Sequence, residues 1–190
     1  MKVKHLKPDP SKTITWAKGM SQELFIYPRT ADFQKRDLLF RISLATVEAE
    51  ESDFTPLPGI QRTLMLLKGK HKLTHQGHHT KTLMPFDQDN FMGDWQTSSQ
   101  GKSTNFNLMC RAGTSGILKH VKGIENSETT FELKADVELI YLYVGSADYN
   151  GEEFMPGDCL VIENRSREQL KIACVKDCEF VQTSVTIKET

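Results

Sequence analysis

Long apolar runs are missing from this sequence. Nothing approaches the roughly 20 consecutive apolar residues that a membrane-spanning helix needs, and the opening MKVKHLKPDP has none of the apolar core of a signal peptide. Both absences predict a soluble, cytoplasmic protein with no membrane partner. An excess of one charge is missing too: 24 Lys and Arg stand against 25 Asp and Glu, with no basic block long enough to follow a phosphate backbone. Nucleic acid is therefore not an expected partner. Neither GxxxxGK[ST] nor a strand–GxGxxG–helix arrangement occurs, which removes the usual nucleotide cradles. Cysteine is sparse, with Cys110, Cys159, Cys174 and Cys178 only. In a reducing compartment these are expected as free thiols. CVKDC, without a second pair at zinc-finger spacing, reads as two small buried hydrophobes that would share one face of an unbroken strand.

Helical periodicity is the last absence; alternation takes its place. In LLFRISLATV, Leu38, Phe40, Ile42 and Leu44 point one way and Arg41, Ser43 and Ala45 the other, as in a strand with one face in a core. ELFIY, RTLMLL, TNFNLMCR, ELIYLYV, CLVIE, KIACV and FVQTSVTI repeat the pattern between turn-rich PLPG, SSQGKS, YNGEE and MPGD. A chain of 190 residues is long enough for a sizeable core. Many short strands at this spacing predict an all-β sandwich or barrel. THQGHHT reads as a hairpin tip around Gln76 and Gly77, and the weakly patterned stretch Ala112 to Ser127 as the passage between two β units.

Two residue types invite chemistry. His71, His75, His78 and His79 cluster, but no His-x-His places two of them inward on one strand. A two-residue turn would set His75 opposite His78 at a solvated tip, with no carboxylate before Asp87, so no metal site is expected. Arg41, Arg62 and Arg111 sit in or beside apolar runs, where a charge must be paired. The partner is either an internal carboxylate such as Glu23 or Asp94, or an anionic ligand, for which the planar guanidinium fork is well suited. Asn105, Asn107, Met109 and Arg111 share a strand face opposite Phe106, Leu108 and Cys110, a polar wall for a pocket inside a small barrel.

TWAKGMSQEL (Trp16, Gly19, Glu23), FRISLATV, DFTPLPGIQRTLMLLKG, FMGDW and TNFNLMCR, in this order and at these intervals, resemble the HutD/Ves family of bicupin proteins. The resemblance spans Thr15 to Arg111 and continues mainly as strand pattern and MPGD beyond it. It implies an all-β bicupin of two cupin-like (double-stranded β-helix, or jelly-roll) barrels. Residues 1–115 would form the first and 116–190 the second, packed as one unit with strands open to exchange between them. It implies a cytoplasmic protein connected with histidine utilisation or a stress response, and a family not established as enzymatic. The expected function is binding of a small carboxylate metabolite, with no cofactor and no metal. On this reading Arg62 is the carboxylate clamp, Trp16 an apolar wall, Arg41 and Asn107 polar contacts, and Glu23 a ligand contact or the partner that holds an arginine. Pro58 and Gly59 shape the turn that aims Arg62. The alternative is a metal-independent cupin isomerase or hydrolase pairing Glu23 with a barrel histidine, although no histidine falls in an assigned core strand. A homodimer is left open. The chain departs from the family in carrying Asn105 where an acid is common, Cys110 where a second arginine is frequent, and Phe40 where tryptophan is frequent. An acid and a base lost together suggest a replaced local ion pair.

Overall fold

The structure, a computed structural model, describes residues 2–163 and 168–188. Among them the one helical element is a 3-10 turn, Pro10–Lys12; the regular structure is otherwise antiparallel β. The chain divides into two compact units, Asp9–Thr114 and a second that joins Met1–Pro8 to Ser115–Glu189.

In the first unit a six-stranded sheet runs in the order Thr13–Trp16, Gly19–Tyr27, Phe40–Val47, Ser103–Arg111, Ile60–Gly69, Gln88–Met92. A four-stranded sheet orders Glu51–Asp53, Thr97–Gln100, His71–His75, His79–Leu83. Leu64, Leu66 and Phe91 from the larger sheet pack with Leu73 and Leu83 from the smaller, so the two sheets share a core. Phe40–Val47 differs from the expected half-buried strand. Phe40 and Ile42 are buried, but so are Arg41 and Ser43 on the opposite face, which turns toward a cavity.

In the second unit the sheet Lys2–Leu6, Cys159–Glu163, Val137–Val144, Cys178–Ile187, Thr114–Gly123 accompanies a smaller one of Ser127–Glu132, Gln169–Cys174, Ala147–Tyr149 and Glu152–Phe154. Ile140, Leu160, Leu170 and Ile172 fill its core with Phe131, Phe154 and Phe180. Phe131 meets Phe180 edge to face at 5.3 Å between centroids. The buried Glu138 is satisfied by the backbone N–H groups of Lys134 and Ala135 and by Gln182 and Ser184. An ionised carboxylate needs such a full set of donors to be tolerated away from water.

The boundary between the two units, Thr114 to Ser115, falls inside Ala112 to Ser127, the stretch expected to join two β units, although most of that stretch is regular: Thr114–Gly123 is a ten-residue strand. One local reading is corrected. Cys174 and Cys178 do not share a strand; a bend at Val175 and Lys176 separates the end of one from the start of the next, and both thiols are buried in one core cluster.

Candidate functional site: a cavity with an unpaired arginine

Register sets the site. Met109 on the central strand lies opposite Arg41 on one side and Arg62 on the other, so the two guanidiniums and the thioether form one lateral row on the inner face of the sheet. Asn107 is opposite Ser43 and Leu64 in the next row, two residues along and therefore on the same face. These rows wall a cavity of about 540 Å³, closed further by Trp16, Phe33 and Phe54.

Arg62 is 8% exposed. The turn before it has Pro58 at its second position and Gly59 at its third, with Gly59 at φ 74° and the Ile60 N–H donating to the Leu57 carbonyl at 3.2 Å. Only a residue without a Cβ takes this backbone at low cost, so the sequence fixes how the strand leaves the turn. Behind the turn Gly93, of FMGDW, is locked by contact. A Cβ there would stand 2.5 Å from the Leu57 carbonyl oxygen.

The two arginines of the row differ in what neutralises them. Arg41 donates from Nε to Glu23 Oε2 at 2.9 Å and from Nη1 to Ser43 Oγ at 3.1 Å, and its guanidinium lies 4.2 Å from the Phe33 ring centre. A bulge between Glu23 and Phe25 makes this possible. It keeps Glu23 opposite Ser43 on the inner face while Phe25 pairs with Ile42 on the outer one. Arg62 has no carboxylate within ion-pair distance among the described residues. Its Nη2 donates to Asn107 Oδ1 at 3.3 Å, its guanidinium lies 4.8 Å from the Phe54 ring centre and 5.1 Å from that of Phe91, and its buried Nε has no partner. Burial, and after it the charge of Arg41, push the Arg62 guanidinium down to about 10. Burial also lowers Arg41, against which Glu23 acts.

The cavity thus gathers Arg62, Arg41, Asn107 and Trp16, and Trp16 is 38% exposed at its edge. Glu23 is not part of its wall and is committed to Arg41; Asp94 pairs with none of the arginines. Arg111 is exposed and donates to the Arg36 carbonyl at 2.7 Å, tying down the loop that supplies Phe33. Phe54 and Phe91, which flank Arg62, lie in the motifs DFTPLPG and FMGDW, but alternation alone gives no reason to bring them to an arginine. Asn105 also lines the cavity, and its Oδ1 lies 3.1 Å from His71 Nδ1.

The histidines require a correction. The hairpin turn holds Gln76, Gly77 and His78, so His75 faces His79 and not His78. His71 and His75 are buried in a core strand, not at a solvated tip. The carboxylate missing from the local sequence is Asp89, which reaches both His75 and His79. Its position on a neighbouring strand of the other sheet could not be read from spacing.

The HutD family model matches residues 9–181. The chain belongs to the HutD family. Among solved structures, HutD from Pseudomonas fluorescens SBW25 (formate condition) superposes with a TM-score of 0.76 at 21% identity, covering 99% of this chain and 100% of that one. A conserved protein of unknown function from Pseudomonas aeruginosa PAO1 superposes with a TM-score of 0.80 at 17% identity over 99% and 100% of the two chains. A bacterial pirin from Escherichia coli in complex with nickel(II) gives a TM-score of 0.73 at 12% identity over 99% and 100%. At these identities the likeness shows the fold, which is all-β and of cupin type. No curated protein matches this HutD-family chain in sequence.

Proposed function

We propose that the protein is a non-enzymatic bicupin of the HutD/Ves type, each unit one cupin-like barrel, that binds a small carboxylate metabolite in the cavity of the first unit. The observation that carries this is Arg62: a buried guanidinium with an unpartnered Nε and no acidic counterpart among the described residues, on the wall of a cavity large enough for a metabolite. A buried cation without a partner is costly unless something supplies the opposite charge, and a carboxylate fits the guanidinium fork with two hydrogen bonds. Asn107 orients the clamp through Nη2, Glu23 holds Arg41 in place, and Trp16, Phe33 and Phe54 offer apolar surface to the body of the ligand. The setting we propose is the cytoplasm, with a role in histidine utilisation or stress regulation and a homodimer left open.

The test is a thermal-shift screen with histidine-pathway and general carboxylates on the wild type and on Arg62→Leu. A ligand at 100 times its Kd stabilises by about 2.7 kcal/mol, which for a domain of this size moves Tm by roughly 5–10 °C. Shifts seen with the wild type and absent in the variant support the reading; equal shifts in both overturn it. Catalysis without metal, by an isomerase or hydrolase, is the second reading. It is favoured by His71, buried and bonded to the cavity residue Asn105, and product formation from a bound carboxylate would select it.

A further inference from the structure

The first unit holds a second group of ligating side chains, none of which lines the anion cavity. His75 and His79 lie directly opposite one another across the hairpin, and Asp89 reaches them from the strand Gln88–Met92 of the other sheet. One ligand atom from each lies within 4.8 Å of the others. We propose that His75, His79 and Asp89 bind one divalent metal ion of the zinc class, a site separate from the carboxylate cavity.

Four observations carry the assignment. The first is geometric. His75 Nε2 and His79 Nε2 each stand 3.1 Å from the Asp89 carboxylate. Tetrahedral zinc with bonds of about 2.0–2.2 Å to nitrogen and oxygen separates its donors by roughly 3.3 Å; both His–Asp89 separations stand near that value, and the remaining one, within 4.8 Å, must close toward it for an ion to be seated. The second is charge. Asp89 is 4% exposed; its side chain meets the two imidazoles and the Asn90 N–H, and no Lys or Arg among the described residues forms an ion pair with it. A buried carboxylate needs a cation, and two imidazoles meeting it at Nε2 offer a place for one.

The third is the shell behind the donors. Thr97 Oγ1 lies 2.8 Å from His75 Nδ1 and gives its own hydrogen to the Trp95 carbonyl at 3.2 Å. The imidazole then donates from Nδ1, and its Nε2, 3.1 Å from Asp89, must either carry a proton shared with the carboxylate or turn its lone pair to an ion held between them, the orientation a metal-ligating histidine takes. The Asn90 N–H fixes Asp89 Oδ1 at 3.0 Å. The fourth is the wall. Phe91 packs on His75 at 4.4 Å between ring centres, Trp95 lies at 5.7 Å, and His78 stacks on Trp95 at 3.7 Å. One side is dry, while the His79 side chain is 39% exposed. Three protein ligands leave the fourth position to water on that side.

The test uses the full chain without a polyhistidine tag. It is equilibrated with Zn2+, dialysed against metal-free buffer and assayed by elemental analysis, and in parallel titrated with Co2+ while its visible spectrum is followed. The expected result is about one zinc per chain and a tetrahedral Co2+ spectrum for the wild type. Asp89→Asn and His79→Gln, shown folded by circular dichroism, should bind at least tenfold more weakly. His79 is partly exposed, so its variant keeps the test alive if Asp89→Asn fails to fold. A folded wild type that retains no zinc and gives no Co2+ spectrum overturns the proposal and leaves a proton-bridged hydrogen-bond network. Metal retained equally by wild type and both variants also overturns it, placing the ion elsewhere, such as on the cysteines.

Discussion

Arg41 and Arg62 stand in one row of the same sheet with Met109 between them, yet only Arg41 has a carboxylate within reach. The protein thus keeps one arginine neutralised from within and leaves the other without an acid, and on the proposed reading the ligand supplies that missing charge. That asymmetry makes opposite demands on the two residues.

Replacing Arg62 by Leu removes a buried charge and strands no acid. We expect stability to change by about 1 kcal/mol or less and carboxylate affinity to fall by roughly 2–5 kcal/mol, the usual loss when a desolvated charge pair is broken. Urea denaturation and ligand titration on the same variant check both. A large stability loss with unchanged affinity would show Arg62 to be structural.

Replacing Arg41 by Met leaves Glu23 partly buried without its partner. The Glu23 side chain is 16% exposed, so the cost should fall below the ~3–5 kcal/mol of a fully buried broken pair, at about 2–3 kcal/mol. Urea midpoints should rank Arg41→Met well below Arg62→Leu. The reverse order would contradict the assignment of partners.

Affinity for a carboxylate should be flat near neutrality and decline once pH passes about 10, where the Arg62 guanidinium, lowered by burial and by Arg41, gives up its proton. The sign for folding is opposite. Between that value and the ordinary arginine range the unfolded chain holds the proton and the native one does not, so this residue's unfavourable contribution shrinks as pH rises. Calorimetric titration of a carboxylate across this range, with Arg62→Leu as the baseline, isolates the effect from the lysines. A wild-type profile that parallels the variant's would refute it.

All four cysteines are free and buried, and burial pushes the Cys110 thiol up to about 11 and Cys178 to about 12. Little thiolate exists at neutral pH, so the native protein should react slowly with a disulfide reagent. After denaturation without reductant it should release four equivalents, one for each cysteine. Fast native reaction or a count of two would contradict this burial.

Alternation made the central strands legible, because a row such as Arg41, Ser43, Ala45 against Phe40 and Ile42 repeats every second residue wherever a sheet is packed. It also made Arg62 legible, since Pro58 and Gly59 mark the turn that fixes its strand. Edge strands were not legible. His79–Leu83 is exposed at every position but Leu83, and Thr13–Trp16 has no buried residue, so neither carries a hydrophobic signal. The pairing of Glu23 with Arg41 was one of two open readings. Deciding it needed a bulge, and Glu23 and Phe25 look like same-face neighbours until one residue is left out of the register. Asp89 is not legible for a related reason: its histidines are near in sequence, but the contact depends on two sheets closing over a common core.

The strand Lys2–Leu6 is paired with Cys159–Glu163, while Asp9–Thr114 forms its sheets from chain that is continuous. On the ribosome, therefore, Lys2–Leu6 emerges well before the strand it pairs with. The unit it belongs to can fold fully only when Cys159–Glu163 has followed, whereas the intervening unit can mature while the chain is still growing. A fragment starting at residue 115 would present the open backbone of Cys159–Glu163, an apolar strand inviting a stranger's edge, so the opening residues serve as a guard against aggregation as much as a piece of the fold.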